Sequence, residues 1–229
     1  MSRIRVIFFD LDNTLIDFLR MKEEACKAAV HAMIRAGLRM KESDAYEELL
    51  SKYFDVGIES NIAFSVFLKT VGQFEHKILA AGLNAYLETK SKCLTPYPNV
   101  KPTLSRLKKE GIYLSIVTDA PKTKAYQRLL GMGIEGFFSF VVGYEDTNSL
   151  KDTGLPFVLA LGMLRKEMPN IIEGEILMVG DSVERDIVPA KKFGLKTALS
   201  RYGQKTVVPG EPDYELADFK DLIKICITE

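Results

Sequence analysis

An apolar run near the start of the chain ends in two carboxylates one residue apart, in Val6-Ile7-Phe8-Phe9-Asp10-Leu11-Asp12. If the backbone stays extended there, Asp10 and Asp12 point to the same side. Neighbouring carboxylates repel unless a cation or a proton lies between them. Such a pair suits a hard metal ion with oxygen ligands, although Asp and Asn also simply start turns. A second acidic group follows another apolar run, in Val179-Gly180-Asp181-Ser182-Val183-Glu184-Arg185-Asp186. On a helix, Ser182 and Asp186 share a face and Asp186 leans back toward Asp181. Asp181 with Glu184 also reads as a helix N-cap pair. Between these groups lie Thr118, at the end of Ser115-Ile116-Val117, and Lys151. A hydroxyl beside free backbone N–H groups at a helix start can hold an anion. In isolation, though, Thr118 reads as a strand end before an Asp119 cap, and Lys151 as a solvated surface lysine.

Position ties the four together. Apolar runs predict buried parallel strands at Ile4–Phe9, Ile112–Val117, Phe137–Val142, Glu175–Val179 and Lys196–Leu199. Helical patterns over Val100–Glu110, Pro121–Leu130, Leu155–Lys166 and Glu184–Phe193 alternate with them. Gly111, Gly131 and Gly194 supply stops, and Pro189 disturbs the last helix. This alternation predicts an α/β fold, a doubly wound Rossmann-like parallel sheet with right-handed crossovers. Asp10, Thr118, Lys151 and Asp181 each follow the carboxyl end of a different strand, where open parallel sheets place their ligand crevice. Between the first two strands the pattern changes. Met21–Ala36, Glu42–Phe54, Ile62–Val71 and Phe74–Lys90 read as amphipathic helices with no strand among them. Residues 1–16 with 96–229 are expected to form the core, and residues 17–95 an inserted all-helical cap domain. The tail from Pro209 carries a short extended piece and a helix around Asp218–Cys226.

In order and surroundings these groups resemble the four motifs of the haloacid dehalogenase superfamily. The motifs map onto Asp10-Leu11-Asp12-Asn13-Thr14, onto Thr118, onto Lys151, and onto Gly180-Asp181 through Asp186. The helical insert resembles the cap that phosphoglycolate phosphatase and β-phosphoglucomutase carry at the same place. Two positions depart from the usual pattern. Asp119 stands where relatives often have Asn, and Asp152 where many have Pro. Extra negative charge beside an anion site requires compensation.

The resemblance implies a Mg2+-dependent phosphatase acting on a small phosphorylated metabolite. A carboxylate nucleophile, unlike serine, needs no base to activate it at neutral pH. Asp10 would form an aspartyl phosphate. Asp12 would protonate the leaving alkoxide and then deprotonate the hydrolytic water. Thr118, Asp119 and Lys151 would line the substrate phosphate. The metal group would comprise Asp10, Asp12 through its backbone carbonyl, Asp181, and Asp186 as the residue orienting the shell. Closure of the cap would exclude water. A phosphomutase would keep every motif. A haloacid dehalogenase would not have an aspartate at position 12, because a halide leaves without a proton. A non-catalytic relative would be expected to have lost motif residues. Arg20, Lys22, Asn61 and Lys69 are the candidate substrate contacts in the cap.

Composition is consistent with this assignment. Thirty-one basic and 31 acidic side chains give zero formal net charge, so nothing points to nucleic acid or an anionic membrane as partner. Three cysteines without C-x-x-C spacing predict a reduced, cytoplasmic protein. No run approaches the ~18 apolar residues of a spanning helix. With two histidines, both in the insert, neither a Ser-His-Asp triad nor a zinc centre is expected in the core. Gly131-Met132-Gly133-Ile134-Glu135-Gly136 matches G-x-G-x-x-G. It follows a predicted helix rather than a strand, so Gly131 reads as a helix cap and not a dinucleotide fingerprint. Oligomeric state leaves no signal in the sequence.

Overall fold

The computed structural model describes residues 3–60, 62–204 and 206–227. The chain divides into two compact units, Met1–Asp17 with Thr95–Glu229, and Phe18–Leu94.

The first unit is built on a parallel six-stranded sheet: β1 (Val6–Phe9), β2 (Tyr113–Val117), β3 (Val141–Val142), β4 (Ile176–Gly180), β5 (Lys196–Ser200) and β6 (Tyr214–Leu216). Their spatial order is β3-β2-β1-β4-β5-β6. The winding direction reverses around β1, which pairs with both β2 and β4, and a crevice opens at such a reversal. Every residue of β1 and β4 is buried, which is why these runs are continuously apolar rather than alternating. Helices α5 (Val100–Lys109), α6 (Lys122–Met132), α7 (Tyr144–Thr147), α8 (Leu155–Glu167), α9 (Val188–Lys192) and α10 (Leu222–Cys226) belong to this unit. One face of the sheet packs Val6, Phe8, Val117, Ile176 and Met178 against Phe157, Ala160, Leu161 and Leu164 of α8. Burying side chains of this size contributes about 1.5–3 kcal/mol each.

The second unit is helical: α1 (Phe18–Ala36), α2 (Glu42–Val56), α3 (Ala63–Thr70) and α4 (His76–Lys92). Ala25, Ala29, Val30 and Met33 recur at helical spacing on α1 and meet Leu49, Phe64, Phe67 and Ile78 in a separate core. No helix among the described residues is long and apolar enough to cross a membrane.

Three expectations are corrected. The strand expected over Phe137–Val142 shrinks to Val141–Val142, because Glu135–Phe137 forms a 3-10 turn. The Gly136 carbonyl there accepts from Lys108 Nζ at 2.5 Å, and only Ser139 onward reaches β2 (Ser139 N–H to Leu114 O, 2.9 Å). Gly131 does not stop its helix. Helix α6 runs to Met132, and Gly133, at φ 62°, takes the left-handed cap position that lacks a Cβ penalty only for glycine. The helix expected over Glu184–Phe193 starts as a single π turn, Val183–Ile187, and becomes α-helical only from Val188. Pro189 has no N–H to continue an upstream ladder, so it falls in the first turn of the new helix. The extended piece of the tail joins the sheet as β6.

Candidate active site

Asp10 is the first residue beyond β1, and its N–H donates to Val179 O of β4 at 2.8 Å. The two central strands therefore fix its backbone directly. Its side chain is buried, with one oxygen in contact with the Lys151 ammonium. Thr14 Oγ1 donates to the other oxygen at 3.4 Å. Lys151 opens a 3-10 turn, Lys151–Thr153, and is 2% exposed, so the surface reading of this lysine fails. The same ammonium lies 2.5 Å from Asp186 Oδ1. Burial alone pulls a lysine pKa down; here the carboxylates of Asp10, Asp186 and Asp119 outweigh it and hold the group charged.

Asp186 reaches this point because of the π turn, a device frequent at functional sites. The Ser182 N–H donates to Asp186 Oδ2 at 2.9 Å. The N-cap of the turn is Ser182 rather than Asp181, with Ser182 Oγ accepting from Arg185 N–H at 3.2 Å. Gly180 is required beside it, since a Cβ there would overlap the Asp186 carboxylate. Asp181, freed from capping, turns its carboxylate to the same group. One oxygen from each of Asp10, Asp181 and Asp186 lies within 4.8 Å of the others. Burial first, and then the charges of Asp10 and Asp186, push the Asp181 carboxyl up to about 8. Burial, opposed by Lys151, pushes Asp186 up to about 6. Lys151, with Arg185 beside it, offsets only part of the charge of these carboxylates and of Asp119. An all-oxygen donor set of this kind fits a hard divalent cation such as Mg2+.

Thr118 tops β2. Phe9 pairs with Ile116, so Asp10 and Thr118 end adjacent strands. Thr118 is buried, and its Oγ1 accepts from Ala120 N–H at 3.2 Å. The Asp119 carboxylate is turned to protein donors. Its Oδ1 accepts from the Lys151 backbone N–H at 2.8 Å, and its Oδ2 lies 3.6 Å from Arg185 Nη1. These contacts supply the compensation that its charge requires. Asp152 is exposed, where water screens it.

Asp12 is separated from the Asp10 group. The chain leaves the strand conformation at Asp10, and Asn13 adopts φ 59°. The Asp12 side chain is outside the carboxylate cluster, and its Oδ2 pairs with Arg128 Nη1 of α6 at 3.2 Å. Arg128 is 1% exposed. Burial lowers its pKa, while Asp12 and Asp10 act to raise it.

Sequence reasoning passed over Arg128 and Arg185, because a basic residue within a helix reads as solvated surface. It also passed over the residues beyond β5. Tyr202 Oη donates to Thr14 O at 2.8 Å, and Gln204 Nε2 donates to Asp181 O at 2.7 Å. Both brace the loops that carry Asp10 and Asp181, and no local pattern signals them. Of the candidate contacts in the insert, Asn61 lies outside the described residues. Arg20 and Lys69 are exposed. Lys22 is buried, donates to Tyr86 Oη at 2.9 Å and lies 3.3 Å from the centre of the Tyr53 ring.

The family model described as haloacid dehalogenase-like hydrolase matches residues 7–200. The chain is 35% identical over 224 residues to glyceraldehyde 3-phosphate phosphatase of Pyrococcus furiosus, covering 97% of this chain and 90% of that protein. It is 28% identical over 222 residues to phosphoglycolate phosphatase of Aquifex aeolicus, covering 97% and 96% respectively. The crystal structure of a HAD phosphatase from Thermococcus onnurineus superposes with a TM-score of 0.70 at 25% identity, covering 99% of each chain. The family match runs from within β1 to the end of β5 and includes all four strand-end groups, so this chain belongs to the haloacid dehalogenase-like hydrolases.

Proposed function

We propose that the chain is a Mg2+-dependent phosphatase of small phosphorylated metabolites that works through an aspartyl phosphate on Asp10. The observation that carries this reading is the convergence of Asp10, Lys151, Asp181 and Asp186 from three strand ends on one buried point. Asp10 is held by β4 and Thr14, so its carboxylate is oriented before substrate arrives. It attacks phosphorus, forming the Asp10 O–P bond as the bond to the alkoxide breaks. Lys151 stands against Asp10 and supplies positive charge where the transferring group gathers negative charge. Thr118 gives a hydroxyl on the adjacent strand. Asp12 delivers a proton to the leaving oxygen, then takes one from the water that attacks the aspartyl phosphate. A magnesium ion on Asp10, Asp181 and Asp186 would offset repulsion between the nucleophile and the phosphate dianion. The relatives support glyceraldehyde 3-phosphate as the first candidate substrate and phosphoglycolate as the next.

A panel of phosphorylated metabolites, assayed with magnesium and with chelator, tests this. Inorganic phosphate is expected from glyceraldehyde 3-phosphate with the highest kcat/KM, and only background release in chelator. Asp10→Asn is expected to abolish turnover while the unfolding transition persists. Undiminished activity in that variant would remove Asp10 as nucleophile. Formation of an isomer in place of phosphate would make the protein a mutase.

A further inference from the structure

Arg128 is a cation in a place built for an apolar side chain. The buried positions of α6 are Ala125, Arg128, Leu129 and Met132, the i, i+3, i+4, i+7 stripe by which a helix meets its core. Taking a guanidinium out of water is costly unless a carboxylate faces it. The carboxylate that does so is Asp12, at 3.2 Å. Guanidinium has a rigid planar array of donors, so it fixes the orientation of its partner more closely than an ammonium does. Asp12 lies beyond the end of β1, in the loop where Asn13 turns to positive φ and position 12 bridges to Ile16.

We propose that Arg128 is a positioning residue for proton transfer by Asp12. It holds Oδ2, and Oδ1 carries the proton that moves. This rests on the phosphatase reading above. As the Asp10 O–P bond forms and the bond from phosphorus to the leaving oxygen breaks, the electron pair stays on that oxygen and the Oδ1 proton passes to it. Asp12, now ionised, takes a proton from the water whose oxygen attacks the phosphorus. That attack releases inorganic phosphate and the Asp10 carboxylate.

The leaving group separates this role from a structural one. An alkyl phosphate expels a strongly basic alkoxide that needs the proton; p-nitrophenyl phosphate expels a phenolate that hardly does. The comparison uses kcat/KM, which covers steps up to departure of the leaving group. The probes are p-nitrophenyl phosphate and the alkyl phosphate that the wild type cleaves fastest in the panel. Arg128→Met is expected to lower kcat/KM for the alkyl phosphate by about 100-fold, the scale of general acid catalysis, and to leave p-nitrophenyl phosphate little changed. Arg128→Lys, a milder change should Arg128→Met not fold, is expected to show a smaller loss confined to the alkyl substrate. That loss is expected to vanish in an Asp12→Asn background. Equal losses on both substrates, no loss on either, or a loss that persists with Asp12→Asn would overturn the proposal. A wild type that cleaves neither substrate would instead refute the phosphatase reading.

Discussion

The side chain of Asp119 accepts a hydrogen bond from the backbone N–H of Lys151 at 2.8 Å, across 32 positions of sequence. The loop after β2 thereby fixes the loop after β3, and the lysine arrives beside Asp10 with its backbone restrained. The Asp119 carboxylate thus holds the backbone of the buried lysine.

The two replacements of Asp119 should therefore behave differently. Asn keeps an oxygen acceptor at the same reach, so Asp119→Asn is expected to retain most of the activity. Ala leaves the Lys151 N–H without this partner. Loss of a partner to a buried group costs about 1–3 kcal/mol, and disturbing a residue that supports a site typically costs about 10–100-fold in activity. Denaturant unfolding together with kcat/KM for both variants checks this. Equal loss in both would mean that charge, not hydrogen bonding, is what Asp119 contributes.

The acidic cluster predicts how the metal-free protein responds to pH. The Asp181 and Asp186 carboxyls are pushed up to about 8 and about 6, chiefly by burial. An unfolded aspartate titrates near about 3.9. The unfolded chain therefore ionises these groups first, and the folded metal-free protein loses stability as pH rises from about 4 toward about 8. Lys151, raised in the folded state, contributes a stabilisation that is constant below the pKa of an unfolded lysine, so it leaves this slope unchanged. A divalent cation must displace the retained protons. Magnesium affinity is expected to rise with pH between about 6 and 8 and to level off above. Calorimetric titration at pH 7 in two buffers of different ionisation enthalpy should register proton release on binding. Identical heats in both buffers would contradict the raised carboxyl groups.

What the sequence made legible follows from range. The apolar runs of β1, β2, β4 and β5 are buried on both faces, so composition alone marks them. Residues 17–95 lack any such run, which made the helical insert readable. The edge strand β3 was overextended because Phe137 and Phe138 resemble strand residues, although only Val141 and Val142 complete the ladder. The chemical groups were legible by type and order, but their electrostatic partners were not. Nothing local distinguishes Arg128, buried against Asp12, from an exposed helical arginine. Nothing local shows that Asp119 faces a backbone N–H. Those facts depend on which loops the sheet order brings together, and that order appears only in the fold.

Lys151 offers the strongest separation of structural from catalytic effects. It is 2% exposed and meets both Asp10 and Asp186. Methionine is close to it in volume and carries no charge, so Lys151→Met leaves little cavity but strands two buried carboxylates. Removing one partner of a buried ion pair costs about 3–5 kcal/mol, and the variant is expected to unfold at markedly lower temperature than wild type in chelator. A divalent cation on the same carboxylates then has more repulsion to relieve. Magnesium should raise the unfolding temperature of Lys151→Met by more than it raises that of the wild type. Turnover should not return with it, because the cation restores the neutrality of the cluster but not the ammonium beside Asp10. Scanning calorimetry with and without magnesium, run beside a phosphate-release assay, reads both effects. Recovery of activity together with stability would show that the lysine serves only as a counter-charge to the acidic cluster.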